Sequence, residues 1–389
     1  MILHRSLAAA ALAAGVVFAG SALADPGVSA DKIVFGQSAA LDGPAAKLGQ
    51  GMRLGLMAAF DEANRNGGIG GRKLELVSRD DGYEPERAVE NTKALIEQDQ
   101  VFALIGPVGT PTSKAAQPVA TDAGVPFVGA FTGAGFLRDP ALKNVINLRG
   151  TYDAETESWI EHLTKDLGYS KIAILYQDDS FGRAGLSGVQ KAMDKRGLKL
   201  AAEGTYQRNT VAVKQALLDI RKASPQAVVI VGAYKPAAEF IHLARKIKLD
   251  ATFVNISFVG SLALAKELGA DGAGVVVTQV VPFPWDHTIP AVAAYQAALK
   301  AYDAKAEPEF VSLEGYLVGR LAIAALEKAG AEPTRQSFLD AVYNTGTFDL
   351  GGVTLTYGPG DNQGMDRVFL TVIQPDGSFK AVDTLGGSS

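Results

Sequence analysis

The chain has 389 residues, 47% hydrophobic and 20% charged, which is a globular composition of roughly two ordinary domains. Thirty-seven basic against 42 acidic side chains leave a net charge of −5, so no basic surplus points to nucleic acid or anionic lipid. Cysteine is absent, which removes disulfides, thiolate nucleophiles, Cys-containing zinc sites and iron–sulfur clusters together.

The first 24 residues read as an export leader. His4 and Arg5 form a short basic start, residues 7–20 are apolar, and Ser21-Ala22-Leu23-Ala24 supplies a small-x-small cleavage pattern. The apolar run is shorter than the about 20 residues of a membrane helix, and no cysteine stands at the cleavage site to carry a lipid. The expectation is a cleaved signal peptide and a mature protein exported to a Gram-negative periplasm. Losing Arg5 leaves 36 basic and 42 acidic residues, a net charge of −6. No later stretch is long enough to span a bilayer.

Beyond the leader, short apolar runs alternate with helical patterns. Residues 32–35 read as a strand and 48–66 as a helix, with Leu48, Met52, Leu56 and Phe60 on one face. The run Gly67-Gly68-Ile69-Gly70-Gly71 ends that helix. Strands are expected at 73–77, 101–105 and 125–128, with helices at 85–98 and 111–123. The pattern restarts with a helix marked by Trp159, Ile160, Leu163 and Leu167, closed by Gly168. Strands at 171–176, 199–204, 227–231, 252–255 and 274–280 then alternate with helices at 182–196, 211–222, 237–247 and 261–268. Helices separating strands in this way imply right-handed βαβ units and mainly parallel sheets. Runs such as 227–231 lack alternation, as strands covered on both faces do. Two such sheets mean two α/β lobes, with crossings near 149–152 and 280–284. Helices at 291–302, 311–330 and 334–343 would return to the first lobe. The end, from Gly351 onward, reads as small antiparallel strands.

Catalytic chemistry is hard to find. His162, His242 and His287 share no metal-ligand spacing, and each reads as an ordinary surface or half-buried histidine. Ser187 sits in Gly185-Leu186-Ser187-Gly188, where the second glycine comes one position early for a nucleophile elbow. The run from Gly109 to Lys114 has the wrong residue order for a phosphate loop. Arg138 occupies the third glycine position of the dinucleotide fingerprint that Gly133-Ala134-Gly135 would otherwise begin. Neither Asp80-Asp81 nor Asp178-Asp179 forms a calcium loop. The expectation is a protein without enzyme activity, cofactor or metal.

Binding chemistry is easier to find. In open α/β sheets, ligands sit outside the carboxyl ends of the strands. After the strand at 101–105 comes Gly106-Pro107-Val108-Gly109-Thr110-Pro111-Thr112, with Thr110 expected as N-cap and Pro111 at the first helical position. That helix start would offer free N–H groups to an anion. After the next strand, Phe131-Thr132-Gly133-Ala134-Gly135 is expected to offer exposed backbone and one hydroxyl. Each loop alone reads as plain capping. Together, at adjacent strand ends, they favour capture of a small carboxylate.

Several blocks also carry a resemblance. They are Phe35-Gly36-Gln37-Ser38-Ala39-Ala40-Leu41 with Gly43-Pro44, the run from Asn66 to Arg72, Asp80-Asp81, and the loop from Gly106 to Thr112. Residues 173–179 with Phe181-Gly182, and Gly232-Ala233-Tyr234, complete the set. The chain from residue 25 onward resembles the leucine/isoleucine/valine-binding type of type I periplasmic binding proteins, the substrate-binding subunits of ABC importers. The resemblance implies an α/β fold of two Rossmann-like lobes joined by three hinge crossings. Lobe 1 would hold 25–150 and about 281–357, and lobe 2 would hold 151–280 and about 358–389. The family's carboxylate contacts fall on Thr110 and the loop Phe131, Thr132 and Gly133, and its aromatic positions on Phe181 and Tyr234. Where amino-acid binders place an acid against the ligand ammonium, this chain has Ser257, and Leu48 stands where an aromatic is usual. Aromatic or aliphatic acids without an ammonium therefore join amino acids as candidate ligands, unless Asp42, Asp178, Asp179 or Glu314 reaches the cleft. The implied partners are a small carboxylate and the membrane permease subunits of an importer, with the protein a monomer that closes on its ligand. A sensing module docking on a membrane receptor would use the same fold, and a secreted α/β enzyme lacks its nucleophile, metal set and cofactor fingerprint.

Overall fold

Residues 25–386 are described by a computed structural model; the expected leader lies outside the described residues. The first lobe is built from β1 (Lys32–Ala39), α1 (Ala46–Arg65), β2 (Lys73–Asp80), α2 (Pro85–Glu97), β3 (Ala103–Ile105), α3 (Thr110–Asp122), β4 (Phe127–Val128) and β5 (Val145–Ile146). Its strands are all parallel in the order β2-β1-β3-β4-β5, which reverses direction between β1 and β3 and opens a crevice there. Leu48, Met52, Leu56 and Phe60 are buried along α1, as their spacing requires.

After a first crossing the pattern repeats with α4 (Tyr152–Lys165), β6 (Ile172–Gln177), α5 (Ser180–Asp194), β7 (Ala202–Tyr206) and α6 (Lys214–Lys222). It continues through β8 (Ala227–Val231), α7 (Tyr234–Lys246), β9 (Thr252–Asn255), α8 (Ser261–Leu268) and β10 (Val276–Gln279). A second crossing leads to α9 (Pro290–Tyr302), α10 (Phe310–Ala329) and α11 (Arg335–Thr345), of which α9 and α10 pack against α1. Small residues let α1 and α10 touch backbone to backbone. A Cβ on Gly55 would stand 1.9 Å from the Ser312 carbonyl oxygen, and one on Gly315 2.3 Å from that of Met52.

The C-terminal segment differs in part from expectation. β11 (Thr347–Asp349) and β12 (Thr354–Thr356) form a separate antiparallel pair. β13 (Phe369–Ile373) and β14 (Phe379–Val382) instead extend the second sheet, giving the order β14-β13-β10-β9-β8-β6-β7. Without them β10 would present an unpaired edge. Before the chain reaches β13, the Asn147 amide donates to Asn362 O and the Gly364 amide to Asn147 O, so this stretch lies beside β5.

Other boundaries shift by a few residues. The strand expected at 199–204 starts three residues later and ends two later because its register with β6 pairs Ala173 with Ala202. The helix expected at 211–222 begins at Lys214, since a turn bond from the Val213 amide to Val211 O holds the preceding residues out of the helix. β5, of two residues, is too short for periodicity to find. Among the described residues, no helix is long and apolar enough to cross a membrane.

Candidate functional site

The carboxyl ends of β3 and β4 bring two threonines together. The Thr110 and Thr132 hydroxyls are buried and 2.6 Å apart. Thr110 does not cap α3, contrary to expectation. Gly109 is the N-cap, with φ of 106°, and no side chain caps the helix. A left-handed glycine is required there, because a Cβ would fall 2.2 Å from Tyr83 Cε2. The helix therefore starts one residue early, with Pro111 second, and the Thr110 hydroxyl is free to face Thr132. The first turn leaves the Thr110 and Thr112 amides without intrahelical acceptors, so N–H groups and a hydroxyl pair share one corner.

The loop after β4 was expected to be exposed and is buried: Phe131 and Thr132 are 1% and 0% accessible. Its cover comes from the second lobe. Asp179 accepts the Phe181 amide at 2.9 Å and so caps α5, fixing Phe181 at the start of that helix. A single 3-10 turn, Ser257–Val259, carries Phe258. The Phe258 ring lies 5.3 Å from Phe131, 4.6 Å from Phe181 and 5.9 Å from Tyr83, centroid to centroid. Tyr152 adds a fifth ring, 5.6 Å from Phe181. Gly133 leaves space for it: a Cβ there would come within 2.7 Å of the Tyr152 ring, while the Tyr152 amide donates to Gly133 O at 2.8 Å.

Beneath the rings lies a buried charge network. Arg149, in the first crossing, stacks its guanidinium 4.9 Å from the Phe131 centroid. It donates to the Ser257 hydroxyl and stands 3.5 Å from Glu155 Oε1 and 3.6 Å from Glu314 Oε1. Glu155 is saturated, accepting from the Ser257 amide, the Ser257 hydroxyl and the Thr278 hydroxyl. Burial alone would lower the Arg149 pKa, but Glu314 and Glu155 outweigh it and keep the guanidinium charged. Burial pushes the Glu314 carboxyl up to about 7 against the pull of Arg149. Arg138 braces the same region, donating to the carbonyls of Thr132, Ala134 and Arg149.

Of the remaining sequence candidates, Asp179 and Glu314 border this cluster through Phe181 and Arg149. Tyr234 is buried at the start of α7, where its hydroxyl is 3.5 Å from the Lys47 amide across the cleft. Leu48 lies close to Gly260, whose Cβ would fall 2.5 Å from Leu48 Cδ2. Asp178 pairs with Arg183, Asp179 with Gln177 and Arg208, and Asp42 accepts the Gly43 amide. Of the four acids weighed as an ammonium partner, only Glu314 reaches Arg149. His162 and His242 bond to Asp166 and Asp271, and no group of three metal-type ligands occurs among the described residues.

The lobes meet around the site. Arg208, from the second lobe, pairs with Glu84 of the first at 2.6 Å, and Asn209 donates to Glu84 and to Gly82 O. Thr110 also borders a groove of about 450 Å³, walled by Lys114, Phe136 and, from α5, Ser180 and Arg183. A larger hollow of about 820 Å³ lies near Trp285 and Phe379 and shares no residue with the threonine corner.

Sequence reasoning placed Arg149 and Tyr152 in a crossing and gave them no ligand role. It also passed over Tyr83, Glu155 and Phe258. One usable signal was an arginine in a lobe crossing three residues before a tyrosine, since a charge at a hinge needs partners from both sides.

Comparison with known proteins agrees with this architecture. Residues 32–378 match the periplasmic binding protein family. Leu/Ile/Val-binding protein homolog 7 of Brucella suis is 28% identical over 244 residues, 61% of this chain and 60% of that protein's length. The leucine-, isoleucine-, valine-, threonine-, and alanine-binding protein of Pseudomonas aeruginosa is 25% identical, covering 83% of this chain and 86% of that one. A crystal structure of a possible leucine/isoleucine/valine-binding protein from Rhodopirellula baltica has a TM-score of 0.88 at 39% identity, covering 92% of this chain and 98% of that chain.

Proposed function

The chain belongs to the periplasmic binding protein family, and from that premise we propose that it captures a small carboxylate-bearing solute between its lobes and delivers it to an ABC importer. The solute is a branched-chain or other amino acid, or a related aliphatic or aromatic acid. One observation carries this reading: the paired hydroxyls of Thr110 and Thr132 lie beside the free amides of the α3 start, under rings from both lobes. Hydroxyl and amide donors converging under apolar cover suit a carboxylate. Phe131, Thr132 and Gly133 form the floor, Phe181 the second wall, Ser257 flanks it, and Tyr234 stands farther along the cleft beside Lys47. The protein works outside the cytoplasm, in the periplasm, as a monomer without turnover. Closing the lobes gives the permease a distinct shape to recognise.

The lobes divide at the first crossing near residue 150 and the second near 281. Pairing of residues 362–364 with Asn147 supports a third crossing between Met365 and β13, later than the about 357 expected from sequence.

A thermal-shift screen of amino acids and simple carboxylic acids tests the function. A cognate ligand at 100 times its dissociation constant stabilises the fold by about 2.7 kcal/mol. No shift with any carboxylate would overturn the reading.

A further inference from the structure

The buried network under the rings has spare hydrogen-bond donors. Arg149 is fully buried, yet its Nε and Nη1 atoms have no hydrogen-bond partner. The Tyr152 hydroxyl is also buried and unpartnered. It sits beside the Thr132 and Thr110 hydroxyls; burial raises its pKa, and the Arg149 charge and those hydroxyls offset part of the rise. An unpaired buried donor is costly, and it is costlier when charged. The donors are held in place from several sides: Ser257 and Glu155 grip one edge of the guanidinium, and Phe131 covers its face.

We propose that Arg149 and Tyr152 complete the carboxylate site begun by Thr110 and Thr132, and that the site selects an aromatic carboxylic acid without an α-ammonium. This rests on the solute-binding reading above. A carboxylate supplies acceptors to the guanidinium fork and the phenol together. An ammonium brings three more donors to a place already rich in them. Two of its potential acceptors are spoken for, since both Glu155 oxygens accept from Ser257 and Thr278. The other buried carboxylate beside the guanidinium, Glu314, faces Arg149. Ser257, where the family resemblance puts an acid, is engaged in holding Arg149 instead. The body of the ligand meets Phe258 and the three rings in tilted contact with it, Tyr83, Phe131 and Phe181. Aromatic groups gain from such edge and offset contacts beyond the area they bury.

Calorimetry on ligand-stripped full-length protein at pH 7, with 3-phenylpropionate, phenylalanine, 4-methylpentanoate and leucine, decides the matter without any variant. The expected result is binding of 3-phenylpropionate at least tenfold tighter than phenylalanine and tighter than 4-methylpentanoate. Phenylalanine or leucine binding as tightly as its matched acid would overturn the inference and make Glu314 the ammonium partner, leaving the solute-binding role intact. Failure of every carboxylate, amino acids included, would overturn both. Arg149→Gln should weaken the acid at least thirtyfold and narrow the gap between acid and amino acid. Should that variant not fold, Tyr152→Phe, which keeps the ring, should weaken the acid at least fivefold. An unchanged acid affinity in a folded variant would overturn the assignment of that residue.

Discussion

Replacing Thr110 by valine separates a structural bond from a ligand contact. The change keeps the side-chain shape and deletes one hydroxyl, which lies 2.6 Å from Thr132 Oγ1 in a fully buried corner. Thr132 Oγ1 still accepts the Ala134 amide at 3.2 Å, but the hydroxyl loses its side-chain partner. Leaving a buried polar group unsatisfied costs about 1–3 kcal/mol of stability. Losing a hydrogen bond to a charged carboxylate costs about 1.5–3 kcal/mol of binding, which is about a tenfold to hundredfold loss of affinity. The double variant Thr110→Val with Thr132→Val removes both hydroxyls of the pair but orphans the Ala134 amide, so stability should stay below wild type while affinity falls further. Urea denaturation reads the first quantity and calorimetry the second. An affinity within a factor of two of wild type, beside a clear loss of stability, would make Thr110 a structural residue and refute the reasoning.

Three further outcomes follow from the geometry. Arg208 ties the lobes through Glu84 at 2.6 Å and meets Asp179 at 3.1 Å. Arg208→Ala should weaken ligand binding about tenfold, roughly 1.4 kcal/mol, and raise the radius of gyration measured by X-ray scattering at subsaturating ligand; equal radii would rule out a role in closure. Gly55→Ala forces a Cβ to within 1.9 Å of the Ser312 carbonyl and should cost about 3 kcal/mol of stability. Gly358→Ala, with open space around it, should cost little, and equal losses in the two variants would contradict the packing argument. Burial pushes the Asp81 carboxyl from its ordinary 3.8 up to about 6, despite hydrogen bonds from Ser38 and the Tyr83 amide. A raised carboxyl pKa means that its stabilising contribution is complete below about pH 4 and is lost as pH rises through 6. Asp81→Asn should therefore gain about 3 kcal/mol relative to wild type between pH 4 and pH 7, measured by denaturation at both values, and a pH-independent difference would disprove the shift.

Much of the fold was legible because its determinants are local. The spacing of Leu48, Met52, Leu56 and Phe60 defines a helix face wherever that face is finally packed, and the run from Ala227 to Val231 reads as a covered strand before any neighbour is known. Alternation of such elements fixes parallel sheets, and strand ends fix where loops can gather. That logic reached Thr110 and Thr132, since the loops holding them follow adjacent parallel strands. It also predicted Thr110 as a helix cap and the loop after β4 as exposed, because a single lobe offers no view of what covers it. The meeting of Arg149 with Ser257, 108 residues apart, and of Phe131 with Phe258 depends on how the two lobes face each other. Periodicity reports which face of an element is buried. What it is buried against is decided by sheet order, by the crossings and by the approach of the lobes, and in this chain only the tertiary structure brings the donors and rings of the site to one place.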